Sequence, residues 1–164
     1  MDYINHGIEK AVQLRQEENY RESNCLLTAL ADRYPDSAIV NYQCAWSYDV
    51  LGLEAEAVPH YEKAIALGLS GADLEGALIG LGSTYRTLGE YGKSKQVFLK
   101  GIDSFPDNQA MKVFYSMALY NLQEHAEAME ALLKCLAETS NDVHIQSYKK
   151  AIEFYSDKLD TVWQ

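Results

Sequence analysis

Basic charge is what this sequence has least of relative to its acids. Fourteen Lys and Arg stand against 24 Asp and Glu, a formal net charge of −10. Nucleic-acid binding relies on Lys and Arg displacing counterions from phosphates, so that class of partner is disfavoured. Anionic membrane surfaces are disfavoured for the same reason. Cysteine is nearly absent too. Cys25, Cys44 and Cys135 are odd in number and far apart, which excludes a disulfide framework and a paired-cysteine zinc site. No stretch reaches the run of about 18 uncharged apolar residues that a spanning helix needs. The opening "MDYINHGIEKAVQLRQEEN" lacks a basic segment followed by an apolar one, so no signal peptide is expected. These absences predict a soluble, cytoplasmic protein. Proline occurs only three times, which leaves long stretches free to be helical.

What the chain does have is a repeat. The segments "ESNCLLTALADRYPDS", "EAEAVPHYEKAIALGLSG", "YGKSKQVFLKGIDSFPDN" and "EHAEAMEALLKCLAETSN" align with one another. Small residues Ser23, Ala57, Ser94 and Ala128 recur at intervals of 34, 37 and 34. Four residues beyond each comes a large apolar one: Leu27, Tyr61, Phe98 and Leu132. Upstream, Ala11, Ala45, Gly82 and Ser116 keep the same intervals, as do Leu14, Tyr48, Tyr85 and Leu119. The longer middle interval is absorbed by "GLSGADLE", between helices. Within each unit the apolar spacing is i, i+3, i+4, i+7, the helical period. "LGLE" and "LGEY" break the units internally, and "YPDS" and "FPDN" separate them. Gly52 and Gly89 suit the left-handed residue that ends a helix. The pattern predicts four antiparallel helix pairs, at about 3–34, 37–70, 73–107 and 108–141, followed by one terminal helix.

This arrangement resembles the tetratricopeptide repeat (TPR), a 34-residue helix–turn–helix unit. Unit three carries the family pattern most fully, in Leu78, Leu81, Gly82, Tyr85, Gly89, Tyr91, Ser94, Phe98, Gly101 and Pro106. Unit two matches at Ala45, Tyr48, Gly52, Ala57, Tyr61 and Ala64, with Leu69 in the proline place. Unit one has Ala11, Tyr20, Ser23, Leu27 and Pro35, with Leu14 where the family has Tyr. Unit four has Ser116, Leu119, Ala128, Leu132 and Cys135, with Ser140 in the proline place. The run "LGLGSTYRTLGEYGKS…FPDN" is also similar to a small bacterial subfamily of these repeats with no defined activity. The resemblance implies an all-α fold: an α-solenoid, a right-handed superhelix of about four TPR helix pairs plus a C-terminal capping helix. The repeats would span about 4–37, 38–74, 75–108 and 109–142, with the cap at about 143–160, in a single domain over 1–164. No single unit can bury its apolar stripe, so such a fold is stabilised by stacking. The last stretch, "VHIQSYKKAIEFYSDKLDTVW", would cover the final unit.

In this family the first helix of each pair lines a concave groove. By that register the motif residues take the core and the remaining first-helix positions face the groove. The candidate peptide-binding residues are Arg15, Tyr42, Trp46, Asp49, Gly80, Ser83, Arg86, Met117, Tyr120 and Asn121. Around them stand Asn5, Ile8, Val12 and Gln16; Ile39, Gln43 and Val50; Gly76, Ile79 and Thr87; Val113 and Phe114. Tyr148, Phe154 and Tyr155 of the terminal helix extend the set. Trp, Tyr, Met and Arg are the types enriched at recognition surfaces. The alternative is that these side chains cover one another or pack on the terminal helix. The family's carboxylate clamp places a Lys and an Asn where this chain has Ile8 and Val12, so chaperone-tail binding is not implied. Arg15 and Arg86 retain the bidentate geometry that suits a carboxylate.

Catalytic chemistry is not in evidence. His6, His60, His125 and His144 fall in four different units without H-x-x-x-H spacing. His125 takes the place of Tyr20 and Tyr91, which reads as packing. Cys44 and Cys135 read as buried small hydrophobes. "GALIGLGSTYR" is glycine-rich, but no Lys follows the glycines and no strand precedes them, so it is not a phosphate loop. It is the first helix of unit three. Gly76, Gly80, Ser83 and Thr87 form one stripe along it. That stripe is either a smooth trough between Trp46 and Tyr120 for a partner's backbone, or a close helix contact. The resulting expectation is a non-catalytic module that binds a protein or peptide partner, with no metal and no cofactor. The alternative is a self-assembling scaffold that associates through the groove or the terminal helix.

Overall fold

Each break in the helical pattern becomes a helix boundary in the computed structural model, which describes residues 2–164. The helices are α1 (Asp2–Gln16), α2 (Tyr20–Arg33), α3 (Ala38–Asp49), α4 (Glu54–Ala66), α5 (Gly71–Thr87), α6 (Tyr91–Ser104), α7 (Gln109–Asn121), α8 (His125–Thr139) and α9 (Val143–Tyr155). There is no strand among the described residues. No helix among them is long and apolar enough to cross a membrane. The terminal helix stops at Tyr155 and the chain then turns, short of the expected end near 160.

Side-chain caps start α3, α7 and α9. Asn108 Oδ1 accepts from Met111 N at 2.9 Å, and Asp142 Oδ1 accepts from His144 N and Ile145 N at 3.0 Å. Ser37 Oγ accepts more weakly from Val40 N, at 3.4 Å. Such caps satisfy amide donors that the first turn leaves unpaired. The tight turns inside the pairs all use one left-handed residue. Gly52 and Gly89 fill it at φ 70° and 79°, as their position suggests, but Glu18 and Gln123 fill it in the first and fourth units at φ 63° and 64°.

The chain forms two compact units, residues 1–90 and 91–164. In the first, α1 packs on α2, α2 on α3, α3 on α4 and α4 on α5. Its core joins Ala11, Leu27, Leu30, Ala31, Val40 and Cys44, with Ile4, Ile8, Leu26, Tyr34 and Tyr48 packed around them. Ile8 therefore leans on the core rather than standing free on the first-helix face. The small residues sit where helices meet: Ser23 is fully buried and its hydroxyl donates to the Ala11 carbonyl at 2.7 Å. Further along, Ala45, Ala57, Tyr61, Ala64, Ala77, Leu78 and Leu81 are buried.

In the second unit, α6 packs on α7, α7 on α8 and α8 on α9. Ser94, Phe98, Met111, Ser116, Leu119, Ala128 and Cys135 are buried, and the rings of Phe98 and Phe114 stack at 6.2 Å. Leu132, by contrast, is 37% exposed although its place in the repeat predicts a core residue. The covering role expected of the terminal helix is also only partly met. No residue of α9 itself is buried, and Tyr148, Phe154 and Tyr155 remain exposed.

Candidate functional site

Helix α3 carries the densest set of candidate residues. Tyr42 and Trp46 are one helical turn apart, so their rings share a face. They stack at a centroid distance of 6.1 Å. Trp46 is 41% exposed, as a recognition residue would be, but Tyr42 is only 7% exposed. The expectation that Tyr42 stands outside the core is therefore corrected. The reason lies on α5: at Gly76 an added Cβ would collide with the Tyr42 hydroxyl and lie 3.1 Å from its Cζ. A missing side chain on one helix makes the recess into which the neighbour's ring sinks. Gly80 does the same for Tyr61 of α4, whose Cζ and Cε1 would lie 2.5 and 2.8 Å from an added Cβ. Of the two uses considered for the glycine stripe, close packing is the one these contacts display. Both glycines nevertheless still border an open cavity.

That cavity, of about 400 Å³, is walled by Tyr42, Trp46, Val50, Tyr61, Ile79 and the two glycines, with Asp49 as its acidic group. The Asp49 carboxylate accepts from Tyr61 Oη at 2.6 Å and from Thr84 Oγ1 at 3.0 Å. The single Thr84 hydroxyl proton is shared between this carboxylate and the Gly80 carbonyl, which lies at 2.8 Å. Burial raises the pKa of Asp49 above the usual carboxylate value, the two hydroxyls pull it back, and Glu54 adds a further upward push. Because the folded value is raised, ionising Asp49 costs the fold stability as pH rises through it. The same burial raises Tyr61, and Asp49 beside it raises it further.

A second cavity, of about 410 Å³, shares Trp46 and Val50 with the first and adds Val12, Arg15, Gln16, Tyr20 and Gln43. The Arg15 guanidinium lies 3.9 Å from the centroid of the Trp46 ring. Cation–π contact of this kind fixes both groups. Arg15 Nη2 donates to Gln43 Oε1 at 2.9 Å, while Nη1 is buried without a hydrogen-bond partner. Burial lowers Arg15 from its ordinary value, with Tyr42 and Tyr61 acting the other way.

The other candidates fall as follows. Ser83 and Arg86 lie half-buried on α5, where the Ser83 hydroxyl oxygen is buried without a partner. In the second unit, Met117 and Tyr120 are exposed on α7 and Asn121 is half-buried. Tyr120 packs on His125 at 4.9 Å, the packing role expected for that histidine. The fold thus brings Arg15, Tyr42, Trp46, Asp49 and Gly80 around one pair of cavities. Thr84 and Tyr61 are the participants that the sequence does not reveal as such. Tyr61 reads only as a core motif residue, and nothing in sequence ties Thr84 to a carboxylate 35 positions away. Cys44 and Cys135 are buried, and burial pushes the Cys44 thiol up to about 11, which leaves it protonated and inert.

Helix pairs repeating at 34 and 37 residues, with small residues at their contacts, define a helical-repeat protein of the all-α, solenoid class. The chain belongs to the tetratricopeptide repeat family, whose model matches residues 38–159. Two solved structures of MamA resemble it: the form from residue 41 to the end from Desulfovibrio magneticus RS-1, and the RS-1 ArsTM double mutant. Each has a TM-score of 0.76 and 14% identity over 98% of this chain and 89% of that one. YrrB, described as a TPR protein with an unusual peptide-binding site, has a TM-score of 0.63 and 13% identity, covering 95% and 91%. No curated protein sequence matches significantly. Identities this low bear on the fold alone. Proteins of this family are in general non-catalytic modules that bind other proteins.

Proposed function

We propose that this protein is a non-catalytic module that holds a segment of a partner protein against the exposed ring of Trp46. The observation that carries the reading is the position of that ring. A tryptophan 41% exposed belongs to the walls of two cavities, with an arginine stacked on it. Tryptophan and arginine at the centre of a concave surface are the types that supply most binding energy in protein interfaces. The side chains around them are already held in place, by the Arg15–Gln43 bond and by the Tyr61 and Thr84 bonds to Asp49. A surface so fixed in advance loses little freedom on binding. YrrB, of the same fold, has a peptide-binding site.

The test is affinity capture from lysate with quantitative mass spectrometry, comparing wild type with Trp46→Ala. Partner recovery should fall at least tenfold while helicity and melting temperature stay close to wild type, because Trp46 lies outside the core. Equal recovery of the same proteins by both versions would show that Trp46 is not at the contact.

A second reading, self-association through the C-terminal segment, rests on a separate observation. The rings of Phe154, Tyr155 and Trp163 form an exposed cluster, with Phe154–Trp163 stacked at 6.1 Å and Tyr155–Trp163 edge-on at 6.4 Å.

A further inference from the structure

We infer that the cavity between α3, α4 and α5 receives a basic side chain, lysine or arginine, from the bound partner segment. This rests on the partner-binding reading above and names what that site selects. Three aromatic side chains, Tyr42, Trp46 and Tyr61, stand in its wall; Trp46 is the exposed one of the three, and aromatic rings of this kind attract cations. Its one carboxylate, Asp49, uses two of its lone-pair positions for Tyr61 and Thr84, leaving acceptor capacity for a third donor. Asp49 is also the last residue of α3, at the negative end of the helix dipole, which favours positive charge. The remaining wall, made by Val50, Ile79, Gly76 and Gly80, is apolar and suits the methylene stem of a long basic side chain.

The charge around the site points the same way. Residues 1–90 hold fourteen acidic and six basic side chains, so this unit carries a net −8 of the chain's −10. Asp73 acts on Tyr42 and Glu54 on Asp49, which places two further acids near the cavity. Arg15 lines the neighbouring cavity, where Trp46 and Gln43 hold it, and its charge also reaches Tyr42 and Tyr61. Burial raises the pKa of Asp49, so ionising it costs the fold stability, and groups held at a cost are characteristic of binding sites.

The probe is a phage-displayed library of random dodecapeptides, selected on wild-type protein in 150 mM salt and counter-selected on Trp46→Ala. The selected peptides should share one fixed lysine or arginine. Replacing that residue by norleucine in the synthetic peptide should weaken binding at least tenfold, as should Asp49→Asn in the protein. Glu17→Gln and Glu56→Gln, outside the cavity, should change it less than twofold. The norleucine peptide keeps the result decisive even if Asp49→Asn folds poorly. Selected peptides that need Trp46 but carry a fixed apolar or acidic residue, and bind Asp49→Asn as well as wild type, would overturn this inference and leave the partner-binding reading standing. Equal weakening by Glu17→Gln or Glu56→Gln would reduce the effect to diffuse charge attraction and overturn it too. No Trp46-dependent peptide at all would overturn both.

Discussion

Single residues decide how α5 meets its neighbours. Gly80 lies inside that helix, where replacing glycine by alanine ordinarily gains about 1 kcal/mol. Here the gain is opposed, because the new methyl group would strike the ring of Tyr61. That ring cannot retreat easily: it is 2% exposed and its hydroxyl is tied to Asp49 at 2.6 Å. Overpacking of this kind costs about 1–3 kcal/mol, so after the helix gain Gly80→Ala should be less stable than wild type by up to roughly 2 kcal/mol. Gly101 is the control. There the obstacle is the sulfur and terminal methyl of Met111, the end of a flexible side chain that can move. Urea unfolding of the two variants checks this; Gly80→Ala proving at least as stable as Gly101→Ala would show that Tyr61 is not wedged on the glycine. The same contacts explain where the sequence misleads. A register argument sees the face on which Tyr42 lies, but not that Gly76, 34 residues later, opens a recess for it. Trp46 has no glycine opposite it and stays out.

Helices and turns were legible because their signals are local. The 3.6-residue period and the small residues at the contacts mark every helix, to within two or three residues at most ends. Units one and four lack the turn glycine, and their turns are nevertheless the same. Glu18 and Gln123 adopt the left-handed conformation that Gly52 and Gly89 adopt freely. A side chain in that region costs roughly 1–2 kcal/mol, against somewhat under 1 kcal/mol for the extra unfolded-state freedom of glycine. Glu18→Gly should therefore stabilise the protein by about 0.5–1 kcal/mol. Gly52→Ala should destabilise it by about 1 kcal/mol, since nothing lies within 4 Å of the added methyl and φ alone is at stake. Denaturant midpoints of the two variants report both signs. A stabilising Gly52→Ala would mean the turn relaxes to accept a side chain, and the conformational argument would fail. The contact between Asp49 and Thr84 belongs to the other category: it joins two helices across 35 positions, and no local signal announces it.

At the scale of the whole molecule, charge and exposed apolar surface oppose each other. The net charge of −10 at pH 7 works against self-association, and its source is uneven: the second unit contributes only −2, from ten acids and eight bases. The exposed cluster of Phe154, Tyr155 and Trp163 lies on that weakly charged unit, with Val162 and Leu159 exposed beside it. Large apolar patches on a soluble protein mark contact sites more often than chance placement. If two copies meet there, repulsion between like-charged chains should hold them apart at low ionic strength. It is relieved by salt, whose screening length shrinks from roughly 30 Å at 0.01 M to about 3 Å at 1 M. It is relieved also by lowering pH toward the isoelectric point near 4.8. Sedimentation at tens of micromolar should show association rising with salt at pH 7, and Trp163→Ser with Phe154→Ser should abolish the rise. Association that salt weakens would instead indicate an ion-paired contact elsewhere. A monomer throughout, at every salt concentration, would remove self-association and leave the cluster as an ordered C-terminal turn packed on its own helix.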